Sequence, residues 1–140
     1  MTPHLKGAIG AALLTAGALG APASAHHSFA MFDAAKTVPI KGTIKEFQWV
    51  NPHSWIHIDV PGPGGKVTEW KIEGRSPNVL SRRGWRRDII KPGDQVTLMI
   101  HPMKDGSAAG AITRIILASG QELNADTPAA VDTDEEGPRR

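Results

Sequence analysis

Cysteine is absent from the 140-residue sequence, and with it go disulfides, thiolate metal sites, a cysteine nucleophile and the lipid-bearing cysteine of a bacterial lipoprotein. Stability has to come from packing alone. A strong charge excess is also lacking, with 16 basic side chains against 14 acidic ones, so nothing global calls for a nucleic-acid partner. No stretch offers the roughly 20 strongly apolar residues of a membrane-spanning helix. None of Ser28, Ser54, Ser76 and Ser81 lies in a Gly-x-Ser-x-Gly elbow, and no Gly-rich phosphate loop follows a strand. The acids show no spacing that singles out a general acid and base pair, and enzymatic activity is not expected.

What is present begins with a three-part start: a short basic end with Lys6, the apolar run "GAIGAALLTAGALGA", and the small residues Ala23, Ser24 and Ala25. This is the pattern of a signal peptide with an Ala-x-Ala cleavage site. Cleavage between Ala25 and His26 leaves one small domain and removes Lys6, narrowing the basic excess to one. A short Ala-rich signal without cysteine fits a bacterial periplasm better than a disulfide-stapled secreted domain. The expected location is periplasmic or secreted.

The mature chain divides into an arm over 26–37, a β-rich domain over 38–123 and a tail over 124–140. The arm, "HHSFAMFDAAKT", mixes Phe29, Met31 and Phe32 with polar residues and shows no period, which suits a segment that packs its aromatic rings on the domain. In "VPIKGTIKEFQWV" the apolar parity runs through Val38, Ile40 and Ile44, then switches to Phe47 and Trp49. Such a switch is the mark of a bulge that bends a strand round a barrel. "HSWIHIDV" places Ile56, Ile58 and Val60 on one face and His53, Trp55, His57 and Asp59 on the other. "PGPGG" then turns the chain into "KVTEWKIEG", where Trp70 and Ile72 share a face. "RSPNVLSRRGW" reads as a short helix with Ser76 as cap, Pro77 at the first helical position and Gly84 as stop. "QVTLMIHPM" and "AITRIILAS" are two further strands. The order β-β-β-α-β-β is that of the all-β, OB-like five-stranded Greek-key barrel. The tail, "NADTPAAVDTDEEGPRR", has too few large apolar residues to offset ordering entropy and reads as disordered.

Processing would make His26 the terminal residue, so that its amine and imidazole form a chelate, with a second imidazole on His27. An amine of pKa about 7.7 to 8.0 and imidazoles near 6.5 deprotonate at little cost near neutral pH. Nitrogen-rich ligation favours Cu(II), then Ni(II) or Zn(II). His53, His57, His101, Met31 and Met103 are further candidates, and a mixed histidine and thioether set suits both copper oxidation states. The plain alternative is that His26 and His27 merely begin an arm. His53 and His57, four residues apart on a strand, stand about 13 Å apart with Trp55 between them. A packed, hydrogen-bonded outer-face cluster is the better account of His57. A second surface gathers Arg75, Arg82, Arg83, Arg86 and Arg87 around Trp85. Guanidinium groups pair with carboxylate or phosphate, so the surface suits an anionic small molecule, a phospholipid surface or an acidic periplasmic protein partner, while a solvated face is the commoner fate of such a charge run.

At "HHSFAMFD", "NPHSWIHIDV", "WKIEGRSPNVLSRRGW" and "KPGDQVTLMIHPMKDGSAAGAI" the chain resembles a family of small exported bacterial proteins known as a domain of unknown function. The resemblance covers roughly 26–123. It implies a signal peptide followed by one β-rich domain, and its "HHSF", "NPH" and "HP" elements fall on His26, His27, His53 and His101. Two functions follow as expectations: a periplasmic protein that binds a transition metal, copper first, through His26, His27, His53, His101 and Met103, or a metal-free module that docks a partner through the Arg/Trp surface.

Overall fold

The computed structural model describes residues 29–126. Its first strand, β1 (Val38–Gln48), carries Ile40, Gly42 and Ile44 inward, and beyond Lys45 it is Phe47, in the other parity, that packs against the core. The switch is a bulge. Against β2 (Trp55–Pro61), Ile44 faces Ile58 and the next pair is Glu46 with His57, so Lys45 is skipped. The bend lets one strand serve two neighbours: Val38–Thr43 pairs with β4 (Gln95–Pro102), and Thr43–Gln48 pairs with β2. On the inside of the bend a Cβ at Gly42 would land on the Asp59 carbonyl oxygen, so only glycine fits there.

β2 and β3 (Val67–Glu73) form the expected hairpin, joined by a 3-10 turn at Pro63–Gly65. α1 (Pro77–Ser81) follows. The Ser76 hydroxyl makes no capping bond; instead its carbonyl accepts the N–H groups of Val79 and Leu80, each at 3.0 Å. Gly84, at φ 85°, ends the turn as anticipated. β4 and β5 (Ala109–Ile116) pair antiparallel, and β5 closes the barrel by running parallel to β3 through Lys71–Ala109, Ile72–Gly110 and Glu73–Ala111. The closed order β3-β2-β1-β4-β5 is the OB-like barrel expected from the element order. Its interior is aliphatic, with Ile58, Ile72, Leu98, Ile100 and Ile115 fully buried, and Leu80 and Trp85 join the same core.

The segment after β5 is more tightly held than its sequence suggests. A sixth strand, β6 (Glu122–Asn124), continues along the edge of β5 beyond the contact with β3. Asn124 therefore belongs to the sheet, Ala125 is fully buried, and the N–H groups of Ala125 and Asp126 both donate to the Thr113 carbonyl, at 2.8 and 3.2 Å. A bulge in β5 explains this. Opposite Met99 and Ile100 the partners jump from Arg114 to Ile112, and the skipped Thr113 has a carbonyl to offer. The arm is likewise strapped down: Phe32 is 5% exposed and bridges to Met103, Asp33 donates to the Pro102 carbonyl at 2.8 Å, and Lys104 donates to the Met31 carbonyl at 3.0 Å. The expected signal peptide over 1–25, together with His26 and His27 and the tail beyond Asp126, lies outside the described residues.

Candidate functional site

Glu73 ends β3 as a buried carboxylate, 7% exposed. A carboxylate buried without a partner costs several kcal/mol, so the neighbour it finds defines the site. That neighbour is His53, whose Nδ1 donates to Glu73 Oε1. The backbone brings them together: Gly74 donates to the Ser54 carbonyl at 2.8 Å, and Ser54 donates to the Arg75 carbonyl at 3.2 Å. These two bonds clip the β1–β2 connection onto the end of β3 and hold His53, two residues ahead of β2, over Glu73.

Arg75 extends the cluster. Its Nη2 donates to Asp126 Oδ1 at 2.9 Å, and its guanidinium carbon lies 4.5 Å from the centre of the Phe29 ring. Both ends of the described chain thus meet on one arginine. Phe29, His53, Glu73, Gly74, Arg75, Ala111 and Ile112 enclose a cavity of about 20 Å³, room for one water or one ion. His101 is part of the same neighbourhood, because Glu73 and His101 are the β3 and β4 partners of the same β5 residue, Ala111. Its Nδ1 donates to the Lys36 carbonyl at 2.7 Å, and its Nε2 lies 3.9 Å from Asp126 Oδ2. The bond to Lys36 ties the arm to β4.

The remaining candidates are distributed differently. His57 sits in an outer-face cluster, where its Nδ1 donates to Glu69 Oε1 at 2.9 Å and Lys45 pairs with the same carboxylate. The Lys45 ammonium first, and His57 second, hold the Glu69 carboxyl below its ordinary range. Between His53 and His57, Trp55 carries the Lys71 ammonium 4.8 Å from its ring centre. Met103 pairs with Phe32, and Met31, the last residue of a 3-10 turn over Phe29–Met31, accepts the Lys104 N–H through its carbonyl. Among the described residues no group of three or more His, Cys, Asp or Glu side chains is placed to hold a metal. Of the candidates, His53 is the one paired with a buried carboxylate.

The Arg/Trp surface needs correcting. Trp85 is 2% exposed, its indole N–H donates to the Asn124 carbonyl at 2.8 Å, and its ring packs 6.3 Å from that of Phe47. It anchors the core and cannot present an aromatic face to a partner. Arg75 leaves the group too, at the far end of α1. Arg82, Arg83, Arg86 and Arg87 remain together.

Glu73 and Asp126 are not singled out by sequence, and Phe29 is marked there only as one of the arm's aromatic rings. Glu73 shares its parity with exposed Glu69 and Lys71, and the one available signal was the pair of small outward residues, Ala109 and Ala111, beside which something must pack.

The fold and its site define a small OB-like β-barrel with an N-terminal strap across the β3–β5–β4 face. The chain belongs to a family of unknown function, DUF6152, which matches residues 14–113. That match spans the arm, His53, Glu73, Arg75, His101 and Met103 and stops before β6 and Asp126. No curated protein matches the sequence. Among the described residues, no helix is long and apolar enough to cross a membrane.

Proposed function

We propose that the protein is exported to the periplasm and binds a transition-metal ion, copper first, between its processed N-terminus and His53. The observation that carries this reading is the position of Phe29, stacked on Arg75 at the cavity that His53 and Glu73 line. A chain advances at most about 3.3 to 3.6 Å per residue, so His27 starts within about 7 Å of Phe29 and His26 within about 11 Å. The amine and imidazole of His26 form the chelate, and the imidazoles of His27 and His53 complete a nitrogen-rich set, which favours Cu(II).

Glu73 has the role of the carboxylate that accepts a ligand histidine's other ring N–H and fixes its tautomer and direction. With Nδ1–H committed to Glu73, Nε2 is the ligating nitrogen of His53. His101 and Met103 act as anchors of the arm and leave the ligand set. The bound ion would be stored, delivered or sensed, without a reaction.

Calorimetric titration with Cu(II) tests this on four proteins: the chain beginning at His26, the same chain with one extra residue before it, His53→Ala and Glu73→Gln. The expected outcome is a single tight site in the first. Each of the others should bind tenfold or more weakly, the loss typical when a ligand or its orienting partner is removed. Equal affinity in all four would contradict the proposal.

A further inference from the structure

The chain places four arginines, Arg82, Arg83, Arg86 and Arg87, within six residues directly after α1. Their backbone is firmly set. Arg83 and Trp85 donate to the Leu80 carbonyl at 2.9 and 3.1 Å, Gly84 donates to Ser81 at 3.1 Å, and Leu80 and Trp85 are buried beneath the turn. Arg82, Arg86 and Arg87 are exposed and Arg83 is half-buried. Arg86 reaches Asp88 at 3.2 Å, with both side chains mostly in water, where such a pair contributes little. Among the described residues, Arg82, Arg83 and Arg87 face no carboxylate at ion-pair distance. The fold therefore holds a cluster of like charge on a hydrogen-bonded turn, with little compensation among the described residues.

The C-terminal segment leaves from the same place. Asn124 accepts the Trp85 indole N–H, and Arg83 shares an open groove with Glu122, Leu123 and Asn124. Asp126, two residues on, is held by Arg75 just ahead of α1, a five-residue helix only about 7.5 Å long. The chain then runs "TPAAVDTDEEGPRR", in which Asp132, Asp134, Glu135 and Glu136 crowd four carboxylates into five residues before Arg139 and Arg140.

We propose that the arginine turn is a docking surface for the chain's own acidic segment, Asp132–Glu136. Six to ten residues reach at most about 20 to 35 Å, which covers the short path from Asp126 back to the turn. Tethering at that length gives an effective concentration in the millimolar range. Four charges meeting four in register is a network and not an isolated pair. A free polyanion must displace the tail to reach the arginines.

The absence of native cysteine makes the test clean. In full-length mature protein carrying Thr133→Cys with a nitroxide label, the Arg82 to Arg87 amides should be broadened more than other surface amides near Asp126. That broadening should fall at least twofold when Arg82, Arg83, Arg86 and Arg87 are all changed to Gln. It should fall likewise in about 1 M salt, where the screening length drops to about 3 Å. An unchanged Trp85 indole signal checks that the variant keeps its fold. Equal broadening in all three conditions is what a tethered but undocked tail gives, and would overturn the proposal. So would vesicles of phosphatidylglycerol and phosphatidylcholine shifting the Gly84 amide while the label leaves it untouched, because the surface would then belong to lipid phosphate.

Discussion

Glu69 and Glu73 lie four residues apart on the same outward parity of β3, yet the fold treats them oppositely. Glu73 lies beside β5 and the strapped arm and is buried with His53, whereas Glu69 stays exposed between Lys45 and His57. Nothing in "VTEWKIE" separates the two, because the difference is made by chain 20 or more residues away. For Glu69 the pH consequence has a definite sign. Its carboxyl titrates below the ordinary value of 4.5 in the folded state, through Lys45 first and His57 second. The stabilisation is therefore present above that value and is lost as pH falls through the lowered one. Asp33, Asp94 and Asp105 are lowered too, by Lys36, Lys91 and Ser107 respectively, so both wild type and variant lose stability in acid. Urea midpoints measured from about pH 5 to about pH 3 should fall less steeply for Glu69→Gln than for wild type. Parallel curves would show that the Lys45 and His57 contacts contribute nothing.

At the scale of elements, β1 was legible because its bulge leaves a trace in the sequence: the inward parity moves from Ile44 to Phe47. β4 and the β2–β3 hairpin were legible by plain alternation. β6 was not, since it has only three residues and the carbonyl that anchors its continuation exists because β5 skips Thr113. Trp85 was misassigned for a related reason. Surrounded by arginines it looks like a surface aromatic, and only the turn at Gly84 sends the ring inward. The element most sensitive to a single methyl group is β1 at Gly42, where a Cβ collides with the backbone of β2 and not with a movable side chain. Gly42→Ala should cost about 1 to 3 kcal/mol or more, as overpacking does, read as a lowered urea midpoint at unchanged slope. A change under about 0.5 kcal/mol would mean that the barrel does not close tightly there.

On the scale of the molecule, Arg75 joins the arm, through Phe29, to the segment that follows β6, through Asp126. Sequence anticipated an arm with packed aromatic rings and named His53 and His101, but not that His101 would bind the Lys36 carbonyl and act as the arm's anchor. That bond extends the β1–β4 pairing just beyond Val38 and Ile100, and the meeting of His101 with Glu73 beside Ala111 depends on the parallel β3–β5 closure; no local pattern encodes either. Family membership supplies no activity, so the functional account stands on the junction of arm and barrel. The most direct measurement is electron paramagnetic resonance of the protein beginning at His26 with one equivalent of Cu(II). The account predicts a single nitrogen-rich signal that loses nitrogen coupling in His53→Ala and changes its parameters when one residue precedes His26. Identical spectra from all three proteins, or the signal of unbound aqueous Cu(II), would contradict it.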